Sequence, residues 1–144
     1  MKKFRCAMLL LLTIPAFAQS RFNGYHLTVT SAPTVGSQAT ASVAAKDNTR
    51  HVADVICFAG GAVAAPAATA LAVNLRDGAS GAGTVLFTLT VAVPAGAGYN
   101  VPAFCANLPN GIEGSNNTAM TLEWSASLAN ESESVTLLFH DTAN

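Results

Sequence analysis

The chain has 144 residues, of which 51% are hydrophobic and only 10% are charged, and its formal net charge at pH 7 is −1. Three of its seven basic residues lie within the first five positions, so the chain after residue 18 carries four basic against eight acidic side chains, a net charge of −4. Nucleic acids and anionic membrane surfaces both select clusters of Lys and Arg. We therefore expect neither of them as a partner.

The N-terminus has the three parts of a secretory signal peptide of bacterial style. Residues 1–5 are basic, residues 7–14 form an apolar run, and residues 16–18 are the small-x-small triplet Ala-Phe-Ala. The run is too short for a transmembrane anchor, which needs about 20 apolar residues. We predict cleavage after residue 18 and export of a protein that begins at Gln19 to the periplasm, the cell surface or the extracellular medium.

Two cysteines follow the predicted signal peptide, Cys57 and Cys105. Export places them in an oxidising compartment, where a disulfide persists. We predict a Cys57–Cys105 disulfide, the alternative being two buried free thiols. Neither residue has another Cys or His at ligand spacing, so no metal site is expected on this pair. Cys6 precedes the apolar run, so lipidation is not expected there.

Short runs of alternating apolar and polar residues, separated by Gly, Pro, Asn and Ser clusters, indicate strands and turns. We interpret residues 19–24 as a flexible tail and residues 25–144 as one domain. The predicted strands cover residues 25–30, 39–45, 52–58, 70–76, 84–93, 99–105, 119–128 and 134–140. Residues 60–70 are interpreted as a loop with at most one helical turn, and residues 108–111 as a turn. Seven or eight such strands predict an all-β fold, an antiparallel β-sandwich of jelly-roll or immunoglobulin-like type.

The same alternation predicts which side chains face the core. In the strand over residues 119–128, Met120, Leu122 and Trp124 share one face. Thr121 and Glu123 share the opposite face, which we expect to lie in water. Pro102 predicts that its strand lies at a sheet edge, because proline lacks the N–H that a central strand must donate.

The chain offers little for catalysis. His26, His51 and His140 are scattered without metal-ligand spacing, and we interpret His26 and His140 as solvated side chains. Residues 78–82 resemble a nucleophile elbow but lack its closing glycine. We predict no catalytic residue, no cofactor, no bound metal and no enzyme. The alternative, a small hydrolase, requires two acids to converge in a cleft; the candidates are Glu113, Glu123, Glu131 and Glu133.

A carbohydrate-binding face needs exposed aromatic rings on which sugar rings can pack. The weak candidates for such ligand stacking are Trp124, Tyr99 and Tyr25. Trp124 shares its predicted face with Met120 and Leu122, which favours a core position over a stacking platform.

Four short segments carry a resemblance to known proteins: residues 73–78 (VNLRDG), 84–87 (TVLF), 93–96 (VPAG) and 117–122 (NTAMTL). In this order they resemble the strands and turns of small β-sandwich proteins encoded in bacteriophage structural gene clusters, over about residues 50–144. The resemblance implies a β-sandwich with a non-catalytic structural role. It carries over no catalytic or binding residue.

Together these features favour a secreted, non-enzymatic β-sandwich with a structural or surface-interaction role. Exposed strand edges can pair with a second copy of the chain or with other surface proteins. The alternative is a carbohydrate-binding or adhesion module whose partner is a glycan.

Overall fold

A computed structural model describes residues 26–65, 69–93, 96–127 and 130–143, with side chains for all of these except 62–65, 69, 93 and 96–99. The predicted signal peptide (1–18), the predicted tail (19–24) and Tyr25 lie outside the described residues. The described part contains no helix that is long and apolar enough to cross a membrane. It consists of eight strands: β1 (Leu27–Ser31), β2 (Thr40–Val43), β3 (Thr49–Ala65), β4 (Thr69–Asp77), β5 (Thr84–Val93), β6 (Gly96–Glu113), β7 (Met120–Trp124) and β8 (Glu131–Ala143).

The strands form two four-stranded sheets in which every pair is antiparallel. The first sheet has the order β1-β8-β3-β6 and the second sheet the order β2-β7-β4-β5. Consecutive strands therefore alternate between the sheets, and only β4 and β5 are consecutive neighbours within one sheet. This strand order is that of a jelly roll. The predicted antiparallel β-sandwich is confirmed, and of the two predicted types the jelly roll is the one present.

The core lies between the two sheets and is built from side chains at alternate strand positions. On β7, Met120, Leu122 and Trp124 are fully buried, as predicted. Trp124 packs edge-on against Phe58 of the first sheet, with ring centroids 5.6 Å apart. Its indole N–H donates a hydrogen bond to the carbonyl oxygen of Ser134. This tryptophan therefore joins the two sheets at the centre of the core.

Strand β3 continues through two glycines that the sequence pattern assigns to a loop. The predicted loop over residues 60–70 is wrong, because residues 60–65 belong to β3 and residues 69–70 to β4. Close packing explains why residue 60 is a glycine: a Cβ atom on Gly60 would lie 3.2 Å from Cζ2 of Trp124. Glycine within a strand often marks such an approach rather than a turn.

Three acidic side chains that were predicted on a wet face or that lie between the predicted strands are buried: Glu123, Glu131 and Glu133. Glu123 is only 1% exposed. The reason is the turn between β4 and β5, which covers this face of the second sheet. Ser80 and the backbone N–H of Gly81 in that turn both donate to the Glu123 carboxylate. The alternation of residues within one strand does not predict that a turn between two other strands covers its polar face.

The predicted disulfide is present. Cys57 and Cys105 lie directly opposite each other on β3 and β6, and their sulfur atoms are 2.07 Å apart. Strand β6 is an edge strand of the first sheet, as Pro102 predicts. The disulfide therefore ties an edge strand to its neighbour.

Candidate functional site

A break in the regular pairing of β3 produces a polar site on the outer face of the first sheet. The register with β8 shifts between Ala53 and Val55, so Asp54 is an extra residue at a β-bulge. The register with β6 shifts at the same point, since Ala53 pairs with Ile112 but Val55 pairs with Asn107. Bulges re-aim a side chain and are enriched next to functional sites.

On the β6 strand, the same break in pairing leaves four consecutive residues without a partner in β3. Residues 108–111, predicted as a turn, lie within β6 between Asn107 and Ile112 and leave the ladder opposite Asp54. Gly111 has a φ of 65°, a left-handed conformation that glycine adopts without strain. Residues 108–111 therefore form an irregularity within an edge strand and not, as the sequence pattern suggests, a connection between two strands.

Two histidines approach Asp54 from neighbouring strands. His140 lies on β8 opposite Val52, and His26 directly precedes β1, whose Leu27 pairs with Phe139. Continuation of this antiparallel register places His26 opposite His140. Their ring centroids are 6.0 Å apart, with the planes at 77°.

Both histidines hydrogen-bond to the same carboxylate oxygen. Nδ1 of His140 lies 2.8 Å from Oδ2 of Asp54, and Nδ1 of His26 lies 3.1 Å from it. An ionised carboxylate only accepts, so each Nδ1 carries the proton of its bond. The interpretation of His26 and His140 as merely solvated side chains is corrected: they face outward as expected, but they are joined through Asp54. No spacing in the sequence signals this, because the contact depends on the register between strands.

A surface groove of about 310 Å³ opens beside these three residues. His26, Asp54 and Asn107 form its polar part, and the rest of its wall comes from β3, β6 and β8: Val55, Leu108, Pro109 and Leu138. These lining residues include no hydroxyl, thiol or amine side chain of the kind used for covalent catalysis. They do provide the imidazole of His26 and the carboxylate of Asp54. With the imidazole of His140, which bonds to the same carboxylate, these groups form a set that binds cations.

A second cavity, of about 420 Å³, lies towards the other end of the first sheet, and Gly60, Pro102 and Glu133 are among its lining residues. Glu133 accepts a hydrogen bond of 2.8 Å from the backbone N–H of Ala39. Burial raises the pKa of Glu133 to about 7; that hydrogen bond opposes the rise and the neighbouring Glu131 adds to it. Glu133 therefore binds its proton more tightly than an ordinary glutamate.

The hydrolase alternative requires two acids on opposite sides of a cleft. Of its four candidates, Glu131 and Glu133 interact with each other, two residues apart on β8. Only Glu133 lines the cavity, however, and the two carboxyl groups belong to the same strand. Glu113 and Glu123 are instead engaged in ion pairs with arginines. The arrangement does not place two acids on either side of a bond to be cleaved.

Of the three aromatic residues proposed for ligand stacking, the structure describes the side chain of Trp124. Trp124 has no exposed area, so its ring serves the core and is not available as a stacking platform. Tyr25 lies outside the described residues, and so does the side chain of Tyr99. Phe104 on β6, which the sequence analysis did not single out, is 50% exposed.

No protein-family model and no curated protein matches the chain, but solved structures do. A CBM4 structure is 9% identical, with a TM-score of 0.33, over 83% of this chain and 79% of that one. A structure of infectious bursal disease virus, Gx strain, is 15% identical, with a TM-score of 0.36, over 81% of this chain and 31% of that one. Bacillus endospore appendages, which form disulfide-linked pili, are 12% identical, with a TM-score of 0.28, over 96% of this chain and 97% of that one. The resemblance to virus-encoded β-sandwich proteins stays loose, and at these values the similarities carry no argument about function.

Proposed function

We propose that this chain is an exported, non-enzymatic jelly-roll protein that serves a structural or surface-interaction role by self-association through β6. The observation that carries the proposal is a long edge strand with a single charged residue. Strand β6 has 18 residues, of which only Glu113 is charged, and it is the last strand of its sheet. Native edge strands are usually protected from pairing by charges, by prolines or by their shortness.

Two prolines define the part of β6 that is available for pairing. Pro102 and Pro109 lack the backbone N–H that a ladder requires. Between them, every second residue of 103–108 turns its N–H and C=O to the side that β3 does not occupy. We call residues 103–108 the open edge.

The side chains of the open edge also favour association. The Phe104 ring contacts Phe58, with centroids 5.5 Å apart, yet half of Phe104 remains in solvent. A second open edge aligned antiparallel about a two-fold axis would repeat the same contacts in both directions. Such pairing adds backbone hydrogen bonds and covers both Phe104 side chains.

The groove chemistry supports a non-enzymatic role, because its described lining lacks a hydroxyl, thiol or amine side chain. Export is supported by the predicted signal peptide and by the disulfide between Cys57 and Cys105, since such bonds persist in oxidising compartments. N-terminal sequencing of the protein recovered outside the cytoplasm tests this part, and the expected first residue is Gln19. A protein that retains residues 1–18 contradicts it.

Self-association is tested by light scattering over a concentration series of the purified, disulfide-bonded protein. We expect the mass to rise above that of the monomer, and Phe104→Lys to abolish the rise because it places a charge on the open edge. Ala103→Lys does the same and leaves the ring contact with Phe58 intact. The matched control is Val85→Lys, since Val85 is 44% exposed on β5, the edge of the second sheet.

Two results would contradict the proposal. One is a wild-type protein that stays monomeric at every concentration. The other is association that persists in both open-edge variants, because the contact would then lie elsewhere. Carbohydrate binding, the alternative from the sequence, has less support because Trp124 is enclosed; specific hits on a glycan array by the monomeric protein would favour it instead.

A further inference from the structure

We propose that His26, Asp54 and His140 bind a divalent transition-metal ion, for which zinc is the representative. The ligand atoms of these three residues all lie within 4.8 Å of one another. Imidazole nitrogen and carboxylate oxygen are ligands that zinc takes in proteins. The groove beside the site shares Asn107 and Leu108 with the open edge. None of the three proposed ligands belongs to β6, so metal binding does not depend on self-association.

The distances between the histidine Nδ1 atoms and Oδ2 of Asp54 fit a cation that replaces the protons of the two hydrogen bonds. A tetrahedral zinc ion with bonds of about 2.0–2.1 Å holds its ligand atoms about 3.3 Å apart. The two Nδ1 atoms lie 2.8 Å and 3.1 Å from Oδ2 of Asp54, so each contact lengthens by a few tenths of an ångström on binding. Each neutral ring then carries its proton on Nε2, and both Nδ1 lone pairs point at the ion.

The charge at the bulge also favours a cation. The Asp54 carboxylate is half-buried on an inner strand of the first sheet, between β8 and β6. Among the described residues its ion pairs are with the two histidines, and no Lys or Arg joins them. With both rings neutral, the three side chains carry a net charge of −1, which a divalent ion reverses.

Three protein ligands leave at least one coordination position for water or another ligand, as in zinc sites with three side-chain ligands. The groove lined by His26 and Asp54 lies beside the ion's place and can hold that further ligand. Calcium and magnesium prefer six or more oxygen ligands, so we expect neither to compete at a site with two imidazoles.

A bound ion would also connect three neighbouring strands. Its ligands come from β3, from β8 and from the residue directly before β1. Because an ion that binds the folded state but not the unfolded chain stabilises the fold, zinc is expected to raise the melting temperature by several degrees at saturation.

The direct test uses the wild-type protein, purified with its disulfide and without a histidine tag. Zinc titration by calorimetry is expected to give one ion per chain, while calcium gives no saturable binding. In imidazole NMR spectra the ring signals of His26 and His140 are expected to move. His51 is the internal control, because its buried ring is already bonded to Asp141 and to the carbonyl oxygen of Ala44. Absence of saturable binding, or binding that leaves the signals of His26 and His140 in place, overturns the proposal.

Variants give a second test. Asp54→Asn is expected to weaken zinc binding by at least about tenfold. Loss of a residue that only hydrogen-bonds to a metal ligand already weakens metal binding by about that factor. Asp47→Asn, which changes an exposed aspartate outside the site, is the matched control and should bind as the wild type does.

Since Asp54→Asn also replaces the charged acceptor of two hydrogen bonds by a neutral one, the readout is the melting temperature with zinc minus that with a chelator, measured on each variant. The wild type and the control should show the zinc-dependent rise, and Asp54→Asn should not. An undiminished rise in Asp54→Asn overturns the proposal.

Discussion

The burial of a charged side chain in this protein depends on particular ion-pair and hydrogen-bond partners, and Glu123 is the clearest case. The Nε atom of Arg76 donates to its Oε1 at 2.5 Å. Ser80 and Gly81 satisfy the same carboxylate from the turn above it. Removal of one partner from a buried ion pair leaves an uncompensated charge, which costs far more than the loss of an exposed pair.

Arg76→Met is therefore expected to lower the free energy of unfolding by about 3 kcal/mol, the lower end of the range for a broken buried pair, because two donors to Glu123 remain. The matched control is Arg50→Met, which breaks a 3.5 Å pair with Glu113 whose side chains are 42% and 61% exposed. The control should change stability by less than about 1 kcal/mol. Urea denaturation followed by the fluorescence of Trp124 measures both. Equal losses in the two variants would show that Glu123 does not depend on Arg76.

Among the strands, β6 relies on its disulfide for a fixed position. Its ladder with β3 is interrupted between Ala53 and Val55, and again between Phe58 and Gly60. Cys57 and Cys105 pair between these two irregularities. The bond therefore fixes the register of the short regular stretch that includes most of the open edge.

The double variant Cys57→Ser/Cys105→Ser is expected to lower the free energy of unfolding by about 4 kcal/mol, the chain-entropy value for a bond that closes a loop of 48 positions. Urea denaturation of the oxidised wild type, the reduced wild type and the variant measures this. The reduced wild type should match the variant, and reductant should not affect the variant. An oxidised protein no more stable than the variant would contradict the expectation.

The strands also show what a sequence can predict. Strand β5 covers Thr84–Val93, as its alternation predicts, because a hydrophobic face repeats there without interruption. Strand β3 is predicted over residues 52–58 but covers Thr49–Ala65. Its last seven residues are Gly and Ala apart from Val63, and they carry no alternation to detect.

The candidate site is beyond prediction for a different reason. His26, Asp54 and His140 meet only because β1 has one particular register on β8 and because β3 has a bulge at Asp54. A slip of one residue would turn each of these side chains to the opposite face of its sheet. Alternation identifies the face of a residue within a strand, but it does not identify the neighbour across the ladder.

For the molecule as a whole, two carboxyl groups make stability depend on pH in opposite directions. Burial raises the pKa of Asp141, but hydrogen bonds from His51 and Lys46, together with their charges, outweigh burial and hold it below its usual 3.8. Burial raises the pKa of Glu133 from its usual 4.5 to about 7. The first group is ionised more readily in the folded protein than in the unfolded chain, and the second less readily.

These shifts act in separate pH windows. The folded state of Asp141 has the lower pKa, so its contribution to stability is present above about pH 3.8 and is lost as the pH falls below it. The folded state of Glu133 has the higher pKa, so its contribution is complete below pH 4.5 and is lost as the pH rises from there through 7. Stability is therefore greatest between the two windows.

We expect the free energy of unfolding to be highest near pH 4.5 and to fall by up to about 3 kcal/mol above pH 7, since one unit of pKa difference corresponds to about 1.4 kcal/mol. Glu133→Gln removes the ionisable group and should flatten this decline, whereas Glu113→Gln, at an exposed position, should preserve it. Urea denaturation at a series of pH values measures all three proteins. A decline that persists in Glu133→Gln would assign the pH dependence to another group, and flattening in Glu133→Gln alone would assign it to this buried carboxyl.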